Sequence, residues 1–224
     1  MTTKAEIEQF LSETELGVYQ RVPLGHGLEI HGARDCVESF QAGLLESIEG
    51  KSVLDVGCAY GAMGFLAEEA GASRVLGIDV NAGIIQTARQ IATLKESCVE
   101  FQCLDIDTQP LPSTFDVVLC YNVIHHLRHP LWALHNLANA CQDWLVLEFS
   151  TIKGRFAKLS DVPLSVLDVI EGQPMLSPTS REVGLCINPE ALEIIMPWFG
   201  PFELVRSERS HKQNDYHLMI FRRV

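Results

Sequence analysis

The run Val53-Leu54-Asp55-Val56-Gly57-Cys58-Ala59-Tyr60-Gly61-Ala62-Met63-Gly64 holds the residue types best suited to chemistry in this chain. A short apolar stretch leads into small residues and then into helical spacing. Gly57, Ala59 and Gly61 let a backbone come close to a ligand, and a helix starting there presents unpaired N–H groups. Asp79 closes the next apolar stretch, Gly77-Ile78-Asp79, where a carboxylate can accept both ribose hydroxyls of a nucleoside. Two cofactor types fit this spacing. Ala59 to Gly64 forms a relaxed dinucleotide fingerprint, with Asp79 standing 20 residues after Ala59. Asp55 decides against that reading. A charge at the end of the first strand faces a pyrophosphate unfavourably, but is favourable beside a sulfonium or an ammonium.

A second group is Tyr121-Asn122-Val123-Ile124-His125-His126-Leu127-Arg128-His129-Pro130. His125 falls at the carboxyl end of a parallel strand, where ligands bind in such sheets. An imidazole there can take a proton from a hydroxyl or an amine. His126 reads as a packing residue or a partner for backbone, and the bland reading makes both structural. The pattern His125-His126-x-x-His129 lacks i,i+4 ligand spacing and a carboxylate partner, so no metal is assigned. Upstream, Tyr19, Arg21, His26 and His31 sit in a Gly-rich segment over 17–32 that reads as a loop. It is either a lid over the substrate, with Tyr19 and His31 the first candidates to join His125 in catalysis, or a surface loop whose polar groups only cap helices.

The elements that must position these groups alternate. Residues 4–16 carry Ile7, Phe10 and Leu11 at helical spacing, and 33–48 carry Val37, Phe40, Leu44, Leu45 and Ile48. Strands are expected at 52–56, 74–78, 99–104, 115–121 and 144–149. Helices fall between them: one to about Ala70, one capped by Asn81, and one marked by Leu131, Leu134, Leu137 and Cys141. Repeated β-α-β units with short connections give a parallel sheet wrapped by helices. Asn188-Pro189-Glu190 starts a further helix, followed by strands near 202–208 and 215–222.

Composition narrows the partners. The chain has 224 residues, 47% of them hydrophobic, enough for a sizeable core. Seventeen Lys and Arg against 29 Asp and Glu give a net charge of −12. That balance opposes non-specific nucleic-acid binding and attachment to anionic membrane. The excess acid lies before residue 151; residues 151–224 hold nine of each sign. Lys153, Arg155 and Lys158, with Arg181, form the one basic cluster, a site for an anionic group or a solvated face balanced by Asp161, Asp168 and Glu171. The start carries no apolar signal core, and no run approaches the length of a membrane span. Seven scattered cysteines without a Cys-x-x-Cys pair read as buried thiols in a reducing cytoplasm.

Asp55-x-Gly57-x-Ala59-x-Gly61, then Asp79, then Asp105-Ile106, then Phe115-Asp116-Val117-Val118, resembles the class I S-adenosylmethionine-dependent methyltransferases in order and spacing. The departure is Ala59, where that family most often has Gly. The resemblance implies an α/β fold: a doubly wound, mostly parallel seven-stranded Rossmann-like sheet with one antiparallel strand. It implies N-terminal helices and a substrate-side loop over 1–50, a cofactor core over 51–149, a variable substrate cover over 150–187, and a closing helix and strand pair over 188–224. It implies S-adenosylmethionine as cofactor. Gly57, Ala59 and Gly61 would pass beneath its methionine part, and Asp55 would orient it through water or its ammonium. Asp79 would bind the ribose, Asp105 the adenine amino group (with Asp107 as its rival), the Ile106 backbone a ring nitrogen, and Asn122 would lie beside the sulfonium. The expected function is O-, N- or C-methylation of a small molecule. A looser likeness over 17–150, through Gly25 to Gly32, His125 to Leu131 and Leu145 to Glu148, is to relatives of the tRNA wobble-uridine carboxymethyltransferases. It makes tRNA the second partner and a modified cofactor the second donor. A non-catalytic methyltransferase-like subunit serving a partner protein is the third reading.

Overall fold

The computed structural model describes residues 2–17, 19–44, 46–151, 176–178, 185–210 and 216–224. The chain divides into two compact units, Met1–Leu104 and Asp105–Val224. Lys153, Arg155, Lys158 and Arg181 lie outside the described residues, as does nearly all of the proposed cover.

The first unit opens with α1 (Lys4–Glu13), started by a reciprocal cap between Thr3 and Glu6. The segment read as a loop contains a small antiparallel hairpin, β1 (Val22–Gly25) and β2 (Leu28–Ile30). His26 and Gly27 turn it, both at positive φ. Val22, Leu24 and Ile30 bury one face of it, a period-two pattern that its glycines obscured. The helix expected over 33–48 is shorter, α2 (Val37–Gly43). β3 (Ser52–Val56), β4 (Arg74–Asp79) and β5 (Glu100–Cys103) then run parallel, with α3 (Ala62–Glu69) and α4 (Ala82–Lys95) between them. Asn81 caps α4 through Gly83 N at 2.9 Å and Ile84 N at 3.2 Å. Ile85, Ala88 and Ile91 face inward from α4 because they recur at helical spacing.

The second unit begins with β6 (Phe115–Tyr121), whose apolar run from Val117 to Tyr121 suits burial on both faces. A 3-10 turn (Ile124–His126) leads to α5 (Pro130–Ala140), with Pro130 at its first position, and directly into β7 (Cys141–Ser150). Short strands β8 (Leu176–Pro178) and β9 (Leu185–Ile187) pair antiparallel. Asn188 caps α6 (Pro189–Phe199) through Ala191 N at 3.1 Å. β10 (Phe202–Arg209) and β11 (Tyr216–Arg223) complete the unit. Arg223 on β11 donates to the carbonyls of Ala138 and Cys141, satisfying the end of α5.

The seven-stranded sheet runs in the order β10-β11-β7-β6-β3-β4-β5. β11 is antiparallel to both of its neighbours, and the β3–β4–β5 and β6–β7 pairings are parallel. This is the mostly parallel sheet with one antiparallel strand that the resemblance implies. No helix among the described residues is long and apolar enough to cross a membrane, and no disulfide joins the described cysteines.

Candidate functional site

In the first unit, the chain leaving β3 makes a tight turn. Gly57 and Cys58 both donate to the Ile78 carbonyl, at 2.8 and 2.9 Å. Gly57, Ala59 and Gly61 all adopt positive φ, at 70°, 48° and 87°. For Ala59 this left-handed backbone is strained, by about 1–2 kcal/mol. Gly61 has no alternative: a Cβ there would lie 2.4 Å from the Phe101 ring. The turn keeps the backbone of Gly57 and Ala59 partly open to solvent while Cys58 and Tyr60 point inward.

Asp79, half-buried at the end of β4, faces that turn. Its Oδ2 accepts from Ala59 N at 3.2 Å and its Oδ1 from Asn81 N at 2.9 Å. A carboxylate has about four acceptor positions, so each oxygen retains capacity for one more donor. That is the demand of a ribose diol.

Asp55 stands near the end of β3, where its spacing placed it. It is 2% exposed, with the backbone N–H of Gly64 on its carboxylate, so it sits behind the turn and not on its open side. Its Oδ2 has no hydrogen-bond partner among the described residues. Burial pushes its carboxyl up to about 7; the Gly64 N–H opposes the rise, and the nearby charge of Asp79 adds to it. Burial likewise pushes the Cys58 thiol well up, so it is an inert core thiol.

The front segment reaches the turn through a residue that sequence reasoning missed. Gln20 is 5% exposed, and its Oε1 accepts from Tyr60 N at 3.0 Å. The Tyr60 hydroxyl in turn accepts from Gly17 N at 2.7 Å. The residues singled out around Gln20 are occupied differently. Arg21 pairs with Glu29 at 2.7 Å and with Asp35 at 3.3 Å. His26 bonds the Thr2 carbonyl. The Tyr19 hydroxyl accepts from Arg34 at 3.5 Å, and the His31 ring, 90% exposed, lies 3.2 Å from Glu29.

In the second unit, Asp105 and Asp107 separate clearly. Asp107 accepts from Arg128 N and His129 N, both at 2.8 Å, and so holds the approach to α5. Among the described residues, the Asp105 carboxylate accepts from its own turn, from Asp107 N at 2.9 Å and Thr108 Oγ at 3.0 Å. Ile106 is buried between them. Asn122, at the end of β6, is 9% exposed and has φ 61°, a conformation Asn tolerates. Its N–H donates to the Glu148 carbonyl at 2.7 Å and its Nδ2 to Glu148 Oε1 at 3.1 Å.

Within the histidine pair, His125 is the buried member, as in the reading that makes it structural. His125 is 1% exposed, and its Nδ1 accepts from Ser150 N at 3.2 Å. His126 is the exposed member, its ring 4.2 Å from that of His125. A backbone amide can only donate, so the neutral His125 carries its proton on Nε2. While that bond holds, the ring has no lone pair for a substrate proton. Glu148 and Ser210, which sequence reasoning did not single out individually, join this unit's polar groups. The one available signal was a carboxylate inside the apolar run Leu145-Val146-Leu147-Glu148-Phe149. No group of three His, Cys, Asp or Glu among the described residues is placed to hold a metal.

Residues 54–143, from inside β3 to the start of β7, match the family model of a methyltransferase domain. The match covers 90 of the 224 residues, and the sheet order agrees with the fold of solved S-adenosylmethionine-dependent methyltransferases, one of which, from Mesorhizobium loti, superposes with a TM-score of 0.63 at 17% identity, over 84% of this chain and 97% of that one. A ubiquinone biosynthesis O-methyltransferase of Neisseria meningitidis is 33% identical over 108 residues, 47% of this chain and 45% of that one. A phosphoethanolamine N-methyltransferase of Triticum aestivum is 30% identical over 133 residues, 57% of this chain and 26% of that one. The matched stretch thus spans less than half of each curated relative. The magnesium protoporphyrin IX methyltransferase of Synechocystis, with bound S-adenosylhomocysteine, superposes with a TM-score of 0.60 at 21% identity, over 79% of this chain and 76% of that one.

Proposed function

We propose that this protein transfers the methyl group of S-adenosylmethionine to an oxygen, nitrogen or carbon atom of a small molecule. The observation that carries the reading is the open turn from Gly57 to Gly61 facing Asp79, whose two oxygens each keep an acceptor position. The names of the Neisseria and wheat relatives, a ubiquinone biosynthesis O-methyltransferase and a phosphoethanolamine N-methyltransferase, support the substrate class.

The residues fit the cofactor. Asp79 takes the ribose diol. The partly open segment at Gly57 and Ala59 receives the methionine portion. Asp55 acts from behind the turn, through its field and not by contact. Asp105 and the Ile106 backbone are assigned to adenine, since Asp107 is committed to α5. Asn122 is assigned to the sulfonium end. The cofactor supplies an electrophilic methyl group on a good leaving group. The protein's own work is alignment, and effective molarity accounts for about 7–11 kcal/mol of barrier in well-oriented reactions. His125 is assigned to positioning: it pins the end of β7 through Ser150. Tyr19 and His31 remain candidates for the substrate side.

The test uses labelled methyl donor with purified protein, offered small-metabolite extract and bulk tRNA separately. Label in the small-molecule fraction supports the reading; label confined to tRNA overturns its substrate class.

A further inference from the structure

We propose that Glu148 is a positioning residue for methyl transfer, clamping Asn122 so that its carboxamide oxygen is turned toward the sulfonium end of the donor. This rests on the assignment of Asn122 to the cofactor.

Glu148 is 3% exposed within β7, flanked by Leu147 and Phe149 and paired in register with Leu218. A buried carboxylate is costly unless it is hydrogen-bonded, so a strand that needed only packing would carry an apolar residue here. Glu148 instead spends both oxygens on side chains. Oε1 accepts from Asn122 Nδ2 at 3.1 Å and Oε2 from Ser210 Oγ at 2.8 Å. Its carbonyl also takes the Asn122 N–H. Asn122 is therefore held by backbone and side chain together.

That arrangement decides which way the amide faces. The carboxylate oxygen accepts, so the nitrogen of Asn122 must face Glu148 and Oδ1 must face away. Oδ1 is buried and has no hydrogen-bond partner among the described residues. An acceptor so placed is expensive to leave unmade. It stands at the carboxyl end of a parallel strand, where ligands bind in such sheets. Its partial negative charge suits a sulfonium and the polarised C–H groups of the methyl it carries. Ser210, fixed through its own N–H to the Tyr216 carbonyl at 2.9 Å, anchors the far end of the clamp.

The test is calorimetric titration of wild type, Glu148→Leu, Glu148→Gln, Asn122→Ala and the Glu148→Leu/Asn122→Ala double variant. Each is titrated with S-adenosylmethionine and with S-adenosylhomocysteine, which lacks the methyl and the sulfonium charge. Glu148→Leu and Asn122→Ala should each weaken S-adenosylmethionine about tenfold and S-adenosylhomocysteine much less. The double variant should be no weaker than Asn122→Ala, because both changes remove one interaction. Glu148→Gln should stay close to wild type: its oxygen still accepts from Asn122 and its nitrogen donates to Ser210. Equal losses for both ligands, multiplying losses in the double variant, or wild-type binding by Glu148→Leu would overturn the proposal. If Glu148→Leu does not fold, Ser210→Ala takes its place, and an unchanged ratio of the two affinities is the overturning result. Asp79→Ala separates the levels. If it still binds cofactor, the underlying assignment has failed; if it does not, while the Glu148 variants behave as wild type, only the clamp has.

Discussion

Gln20 and Tyr60, 40 residues apart, share one buried hydrogen bond: the Gln20 carboxamide oxygen takes the Tyr60 N–H at 3.0 Å. It joins the front segment to the turn that faces Asp79. Gln20→Ala leaves that N–H unpaired in a buried setting, and should destabilise the fold by about 1–3 kcal/mol in urea unfolding. Cofactor affinity should fall with it. Gln20→Glu, which keeps an acceptor, should retain much of both.

Asp79→Ala removes two charge-assisted acceptors for ribose and the ties to Ala59 and Asn81. Hydrogen bonds to charged groups contribute about 1.5–3 kcal/mol each, so affinity for S-adenosylhomocysteine should drop at least about a hundredfold. Calorimetric titration reads it, and unchanged affinity would sink the cofactor assignment.

Asp55 should make cofactor binding depend on pH. Its folded carboxyl is raised to about 7 by burial. The unfolded chain therefore releases this proton at lower pH than the folded one. Asp55 thus subtracts stability progressively as pH climbs from the ordinary carboxylate range to about 7, and Asp55→Asn should flatten that decline. A bound cation favours the ionised form, so affinity for S-adenosylmethionine should rise with pH through about 7 and then level off. The difference between wild type and Asp55→Asn isolates this group from the ligand's own amine. Identical pH profiles would refute the linkage.

The turn offers a pair of opposite backbone predictions. Ala59→Gly relieves a left-handed alanine, and should stabilise the protein by about 0.5–1 kcal/mol after the entropy that Gly adds to the unfolded chain. Gly61→Ala drives a methyl into Phe101, and should cost more than about 2 kcal/mol. Melting curves of the two variants should move in opposite directions.

His125→Phe keeps a buried ring but removes the acceptor for Ser150 N. It should destabilise by about 1–3 kcal/mol while cofactor affinity changes little. If stability were unchanged and turnover fell about a hundredfold or more, His125 would return as the proton acceptor.

The strands were legible because their signals are local. The runs at 52–56 and 115–121 stop at Gly57 and Asn122 and coincide with β3 and β6. Asn81 and Asn188 announce caps that form. What periodicity did not convey is which side chain meets which backbone group over long separations. Gln20 looks like any polar loop residue, yet it is buried on Tyr60. Its neighbours Tyr19 and His31, chemically more suggestive, point to other work. The same blindness left His125 and His126 open: adjacent identical residues carry no local signal of which one the 3-10 turn buries. Asp105 and Asp107 were separable only once the amides of Arg128 and His129 were placed.

The Gln20 clasp also bears on how this protein can be re-engineered. Front segments ahead of a nucleotide-binding core are attractive modules to exchange for new acceptor specificity. Here the module and the core share an obligate joint, since the same side chain that seats the segment completes the turn. A graft would need to supply an acceptor at position 20 and keep the Gly17–Tyr60 contact, or it would change the affinity for cofactor along with the choice of substrate.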